Sequence, residues 1–216
     1  MSENLFEAQY DITQKSKLRR FYEKNKTVIY LLVSLLIILL ISFSFYITHK
    51  EKKKILLSED YIKAKIYLDN DKKNEALEIL KQLLLENDES YSTLAFFMIL
   101  DQNLINDYEE LSNMFEHLLK KNKYEKEMNN LLIYKKALLD SKYVDESKLL
   151  KDLNPLTKSE SIWKPHALLL IGDYFVERKE YIKAKQFYLQ ILSEKNLEKV
   201  FYELAKNQLS LIENDK

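Results

Sequence analysis

From residue 57 onward, apolar residues recur at helical rather than strand spacing. Ala76, Ile79, Leu80, Leu83 and Leu84 form one stripe. Ala167, Leu170, Ile171, Tyr174 and Phe175 form a second, and Ala184, Phe187, Tyr188 and Ile191 a third. Each stripe returns after three or four residues, the period of one helix face. Lys, Glu, Asp and Asn fill the faces between. Short polar joints interrupt the pattern at 70–71, 86–89, 121–123 and 154–161, the last containing Pro155. The pattern predicts helices over 57–69, 72–86, 90–103, 106–121, 126–140, 144–151, 162–178, 180–193 and 197–213. Each has one apolar face to bury against its neighbours.

A different pattern precedes these helices. Residues 27–48 read TVIYLLVSLLIILLISFSFYIT, with no charge, proline or glycine. As a helix this stretch is about 33 Å long, enough to cross a hydrocarbon core of ~30 Å. Its Ser and Thr hydroxyls can bond back to the helix's own carbonyls. Tyr30 and Tyr46 stand near its two ends, where aromatic rings favour the membrane interface. A cleaved signal peptide has a shorter apolar region and a small-residue cleavage site, whereas here Phe43, Phe45 and Tyr46 crowd the end. The domain organisation is therefore a polar, basic tail over 1–26, a transmembrane helix over 27–48, a linker over 49–56 and a helical domain over 57–216. In the tail, 14–26 reads as a charged flank, or as a basic helix with Leu18, Phe21 and Tyr22 toward lipid. Six lysines and arginines precede the span and six follow it within a similar distance, so charge does not set the orientation.

Alternate helices begin near 57, 90, 126, 162 and 197. That period of about 35 residues matches the ~34-residue tetratricopeptide pitch. Residue identity supports it best in the last full pair, with Leu168, Ile171, Gly172 and Phe175 on the first helix and Ala184, Tyr188 and Ile191 on the second. Gly172 and Ala184 are small where paired helices approach closely. Asn196 stands where the repeat has its final proline. In the first pair Ala64, Tyr67, Ala76, Leu80 and Leu83 fit, while Asp60 and Lys63 occupy positions that are usually apolar. The expected fold is all-α: a transmembrane helix, then a tetratricopeptide-like α-solenoid of about four helix pairs plus a C-terminal helix. The alternative is a helical bundle with accidental spacing.

Composition narrows the chemistry. One glycine and two prolines exclude a sheet rich in tight hairpins and any glycine-rich phosphate loop. Without cysteine there are no disulfides, thiolate metal sites or cysteine nucleophile. Beyond the span the charge is nearly balanced, which gives no electrostatic case for nucleic acid. His49, His117 and His166 have no mutual spacing that suits a metal. Glu59 with Asp60, and Glu109 with Glu110, are helix neighbours that point in different directions. Trp163, beside Pro165, reads as an anchor at a helix start. No catalytic, metal or cofactor site is expected.

Three stretches carry a family resemblance. They are KLRRFYEKNKTVIYLLVSLLIILLISFSFY (17–46), SEDYIKAKIYLDNDKKNEALEILKQL (58–83) and HALLLIGDYFVERKEYIKAKQFYLQIL (166–192). In this order they resemble the bacterial ancillary Sec translocon subunits, a family also named for a cell-division coordinator. The resemblance implies a single-pass inner-membrane protein with a cytoplasmic N-terminus and a periplasmic repeat domain. Its implied partners are Sec translocon subunits, periplasmic chaperones or secreted chains. The alternative is a self-associating protein of the envelope, a homo-oligomer with the same architecture. If partners bind the inner face of each pair's first helix, the repeat phase selects Tyr61, Lys65 and Leu68 in the first pair. In the last it selects His166, Leu169, Asp173 and Val176.

Overall fold

The computed structural model describes residues 17–214; the rest of the expected tail, 1–16, lies outside them. Among the described residues there are nine helices and no strand. They are α1 (Lys17–Asp69), α2 (Lys73–Leu85), α3 (Tyr91–Asp101), α4 (Tyr108–Lys121), α5 (Lys126–Asp140), α6 (Glu146–Thr157), α7 (Lys164–Glu177), α8 (Tyr181–Leu192) and α9 (Lys199–Asn214). The chain divides into two units, Met1–Leu56 and Leu57–Lys216.

The first unit is the greater part of α1. This helix is continuous from Lys17, so the stretch 49–56 expected as a linker is helical. No glycine or proline interrupts it. None of the side chains at 27–48 is buried against the rest of the chain; Leu31, Ile41 and Phe45 stand 66%, 64% and 75% exposed. A soluble core helix would bury such residues. This is the one helix among the described residues long and apolar enough to cross a membrane.

In the second unit each helix packs on the next in sequence from α2 to α9, and α7 also touches α5 and α9. The buried side chains fall into two clusters. One gathers Leu57, Ala64, Leu80, Leu83, Phe96, Phe115, Leu118 and Leu132. The other gathers Ala137, Leu149, Leu153, Leu156, Leu168, Phe175, Tyr188 and Ile191. α5 supplies both, with Leu132 in one and Ala137 in the other. The odd-numbered helices α3, α5, α7 and α9 start 35, 38 and 35 residues apart. Side-chain links between elements keep this distance: Thr93 with Tyr124, Tyr108 with Asp140, Asn130 with Ser161 and Lys183 with Glu146 are 31, 32, 31 and 37 residues apart.

The joints explain where helices stop. α1, α3 and α7 end in one and the same turn. Its last amide reaches back five residues: Lys72 N donates to Tyr67 O at 2.8 Å, Leu104 N to Ile99 O at 3.0 Å and Glu180 N to Phe175 O at 2.9 Å. This closure needs a left-handed residue just past the helix. Asp71 (φ 58°), Asn103 (φ 49°) and Lys179 (φ 61°) supply it. Asp and Asn tolerate that conformation best after glycine, whereas lysine is strained there. Asp107 and Asp145 cap the starts of α4 and α6, accepting from Glu110 N at 2.6 Å and Lys148 N at 2.8 Å.

One expectation is corrected. α6 runs to Thr157, not 151, and Pro155 lies inside it rather than in the joint. Proline removes the bond to the carbonyl of Lys151. Leu153 and Leu156, both fully buried, hold the last turn on the core. At the close approach of α7 to α8, Gly172 lies against the Tyr188 ring.

A Cβ added at Gly172 would lie 2.7 Å from Cζ of Tyr188 and closer still to Cε1. That ring is fully buried and its hydroxyl is bonded to Asp173, so it has little room to move. Gly172→Ala is therefore expected to destabilise the fold by ~1–3 kcal/mol. Lys179→Gly should stabilise it by about 0.5–1 kcal/mol, because it removes left-handed strain. Thermal and denaturant melts of the two variants check both signs.

Candidate functional site

Side chains of α3, α4, α5, α7 and the joint after α5 line a cavity of ≈ 490 Å³. Leu100 and Phe115 come from the first cluster, Leu170 and Tyr174 from the second, so the cavity opens where the two cores meet. Leu138, Leu139 and Tyr143 complete its apolar lining. Leu138 is 42% exposed and Tyr143 60%, so the lining is open to solvent.

The walls are fixed. Tyr143 stacks on Tyr108 with centroids 3.9 Å apart. Tyr108 donates its hydroxyl proton to Asp140 Oδ1 at 3.1 Å, and Lys136 Nζ lies 2.6 Å from Asp140 Oδ2. Asp140 is 1% exposed, so this carboxylate depends on both partners. Burial, then the bond to Asp140, pushes the Tyr108 phenol above its ordinary value. Across the cavity, Tyr174 donates to Val144 O at 3.3 Å. The Arg178 guanidinium lies 3.4 Å over the Tyr174 ring.

The rim is charged and sorted by element. Lys135 on α5 and Lys142 just past it are basic; Asp173 and Glu177 on α7 are acidic. Asp173 accepts a bond from Tyr188 Oη at 2.7 Å. Burial raises the Asp173 carboxyl above the usual carboxylate range, with Glu177 pushing the same way and the Tyr188 bond opposing.

Of the seven positions selected by repeat phase, Asp173 lines this cavity. Leu169 and Val176 pack against the second core cluster. Tyr61 packs against the first, with its ring 6.3 Å from Tyr91. Lys65 is exposed and Leu68 half-buried on α1. His166 lies in an aromatic cluster: its ring is 4.5 Å from Phe201, 4.8 Å from Trp163 and 5.5 Å from Tyr134. Its Nδ1–H donates to Ile162 O at 3.3 Å. Trp163, expected as an anchor, caps α7 and stacks on Tyr134 at 5.8 Å. Leu138 and Tyr143 were not selected. Their sequence signal was an apolar residue with no place: Leu138 off the buried stripe of α5, Tyr143 inside a polar joint.

The arrangement offers an apolar floor with charged rails, suited to holding side chains. Among the described residues no group of His, Asp and Glu is placed to hold a metal. No protein family, curated protein or solved structure matches the chain.

Burial holds the His166 pKa below the ordinary imidazole value of 6.5. Between the lowered value and 6.5 the unfolded chain binds more protons than the folded one. Stability therefore rises with pH across that window and is lost as pH falls through it. His166→Phe keeps a ring in the cluster and removes the proton site. Its melting temperature should fall less than the wild type's between pH 7 and pH 5, measured by circular dichroism.

Proposed function

We propose that the protein is a membrane-anchored scaffold that binds partner polypeptides in the cavity lined by α3, α4, α5, α7 and the joint after α5. The observation that carries this reading is a solvent-open apolar cavity with fixed walls. Its volume falls in the range of ligand sites, ~300–1,000 Å³. The exposed 27–48 segment supports the anchor, since a lipid core is the solvent that such a surface fits. The spacing of the odd helices and the neighbour-to-neighbour packing support a tetratricopeptide-like solenoid. The role is binding rather than catalysis.

The resemblance drawn from the sequence gives the finer identity: an ancillary subunit of the Sec translocon in the bacterial inner membrane, with its N-terminus in the cytoplasm. The repeat domain would then link secreted chains to periplasmic chaperones. A second reading is self-association. It is favoured by apolar residues left exposed on the end helices, Ile62 and Ile66 on α1 and Val200, Leu204 and Leu211 on α9.

A photo-crosslinking amino acid at Leu138 or Tyr143 of the tagged full-length protein tests the role in cells. Adducts with translocon subunits, chaperones or secreted chains, identified by mass spectrometry, are the expected result. Adducts with a second copy alone would move the assignment to self-association. No adduct from either position would remove the cavity as the binding site.

A further inference from the structure

Charged side chains join elements at several places on the domain. Four ion pairs lace different helices and joints together: Lys81 with Glu110 at 2.6 Å, Lys164 with Glu194 at 2.8 Å, Lys183 with Glu146 at 2.7 Å and Lys185 with Glu213 at 2.9 Å. At the cavity the same lacing fails. Lys135, Lys142, Asp173 and Glu177 line one opening, two of each sign, and among the described residues none of the four is in an ion pair. The basic pair comes from α5 and the joint after it, the acidic pair from α7.

Asp173 and Glu177 are one helical turn apart, about 6 Å along α7. Lys135 lies on α5 and Lys142 in the joint just past its end. Leu138 and Tyr143, both exposed, line the same opening. An apolar surface with cations from one helix end and acids a turn apart on another helix suits one face of an amphipathic helix.

We propose that the cavity receives an amphipathic α-helix of a partner protein, whose apolar stripe is flanked by Asp or Glu on one side and Lys or Arg on the other. The partner's acids face Lys135 and Lys142; its cations face Asp173 and Glu177. This rests on the binding role proposed above and gives that site its ligand chemistry. Unpaired rim charges of opposite sign discriminate more than they bind. A helix with two acidic flanks meets repulsion from α7, and one with two basic flanks meets it from α5.

Three fluorescein-labelled synthetic helices test this on the full-length protein in nanodiscs. They share one leucine stripe and carry Lys on one flank and Glu on the other, Lys on both, or Glu on both. A helix with its flanks exchanged is no control, because turned end for end it presents the same rails. Fluorescence anisotropy should show the mixed-flank helix binding at least about fivefold tighter than either single-sign helix, with the gap shrinking in high salt. Glu177→Lys should narrow the gap between the mixed and the all-acidic helix. Leu138→Asp should abolish binding of all three; Tyr143→Asp, at the more exposed position, serves if Leu138→Asp melts early. Equal binding of all three helices, tighter binding of a single-sign helix, or binding unaffected by a charge at 138 and 143 overturns the proposal. So does the absence of binding by any helix. If partner adducts from 138 and 143 persist in cells in those cases, the binding role stands and only the helix chemistry fails. If the wild-type chain binds a second copy of itself and thereby displaces the mixed helix, the cavity belongs to self-association instead.

Discussion

Each helix of the domain has one apolar face, and no pair of them can bury both faces alone. This constraint explains the rest of the architecture. Burial comes from the helix before and the helix after, so the chain stacks in sequence order. The links between elements, Thr93 with Tyr124 and Asn130 with Ser161 among them, reach about thirty residues along the chain. The same constraint leaves the two ends of the stack without a neighbour. Ile62 and Ile66 on α1 and Leu204 and Leu211 on α9 remain exposed.

Much of this was legible because the stops are written in the chain. Asn70, Asp71 and the asparagine and acid run at 86–89 mark turns by residue type, and the structure uses Asp71 and Asn87 in the left-handed conformation those residues favour, while Asn103, expected inside a helix, takes it too. The buried faces of α2, α7 and α8 were legible for the same reason. Ala76, Leu80, Leu168, Phe175, Ala184 and Tyr188 lie where a 3.6-residue period puts them. Lys179 gave no such signal; it takes the same backbone shape because its neighbours on α7 and α8 are packed. Pro155 gave the wrong one. Local chemistry ends a helix there, and two buried leucines outweigh it.

The cavity was hardly legible at all. Repeat phase found Asp173 but paired it with Leu169 and Val176, which face the core. Phase assumes that every pair meets the next in the same way. Here the pairs do not. The step from α5 to α7 is 38 residues where its neighbours are 35, and α5 lacks the turn that ends α1, α3 and α7. Instead Tyr143 N and Val144 N both donate to Asp140 O, at 2.8 and 3.0 Å. The joint after α5 therefore takes a different path from the joints after α3 and α7, and its Tyr143 lines the cavity.

At the wall of the cavity lies the most costly group in the domain. Asp140 is almost wholly buried at the end of α5, and a buried carboxylate is tolerated only when paired and hydrogen-bonded. Lys136, one turn earlier, supplies the charge, and Tyr108 on α4 supplies the hydroxyl. Tyr108 then has its ring turned for Tyr143 to stack on. The joint cannot move inward without separating Asp140 from a partner, and it cannot move outward without losing the stack. The polar network therefore ties α4, the end of α5 and the joint after it together at the wall of the cavity.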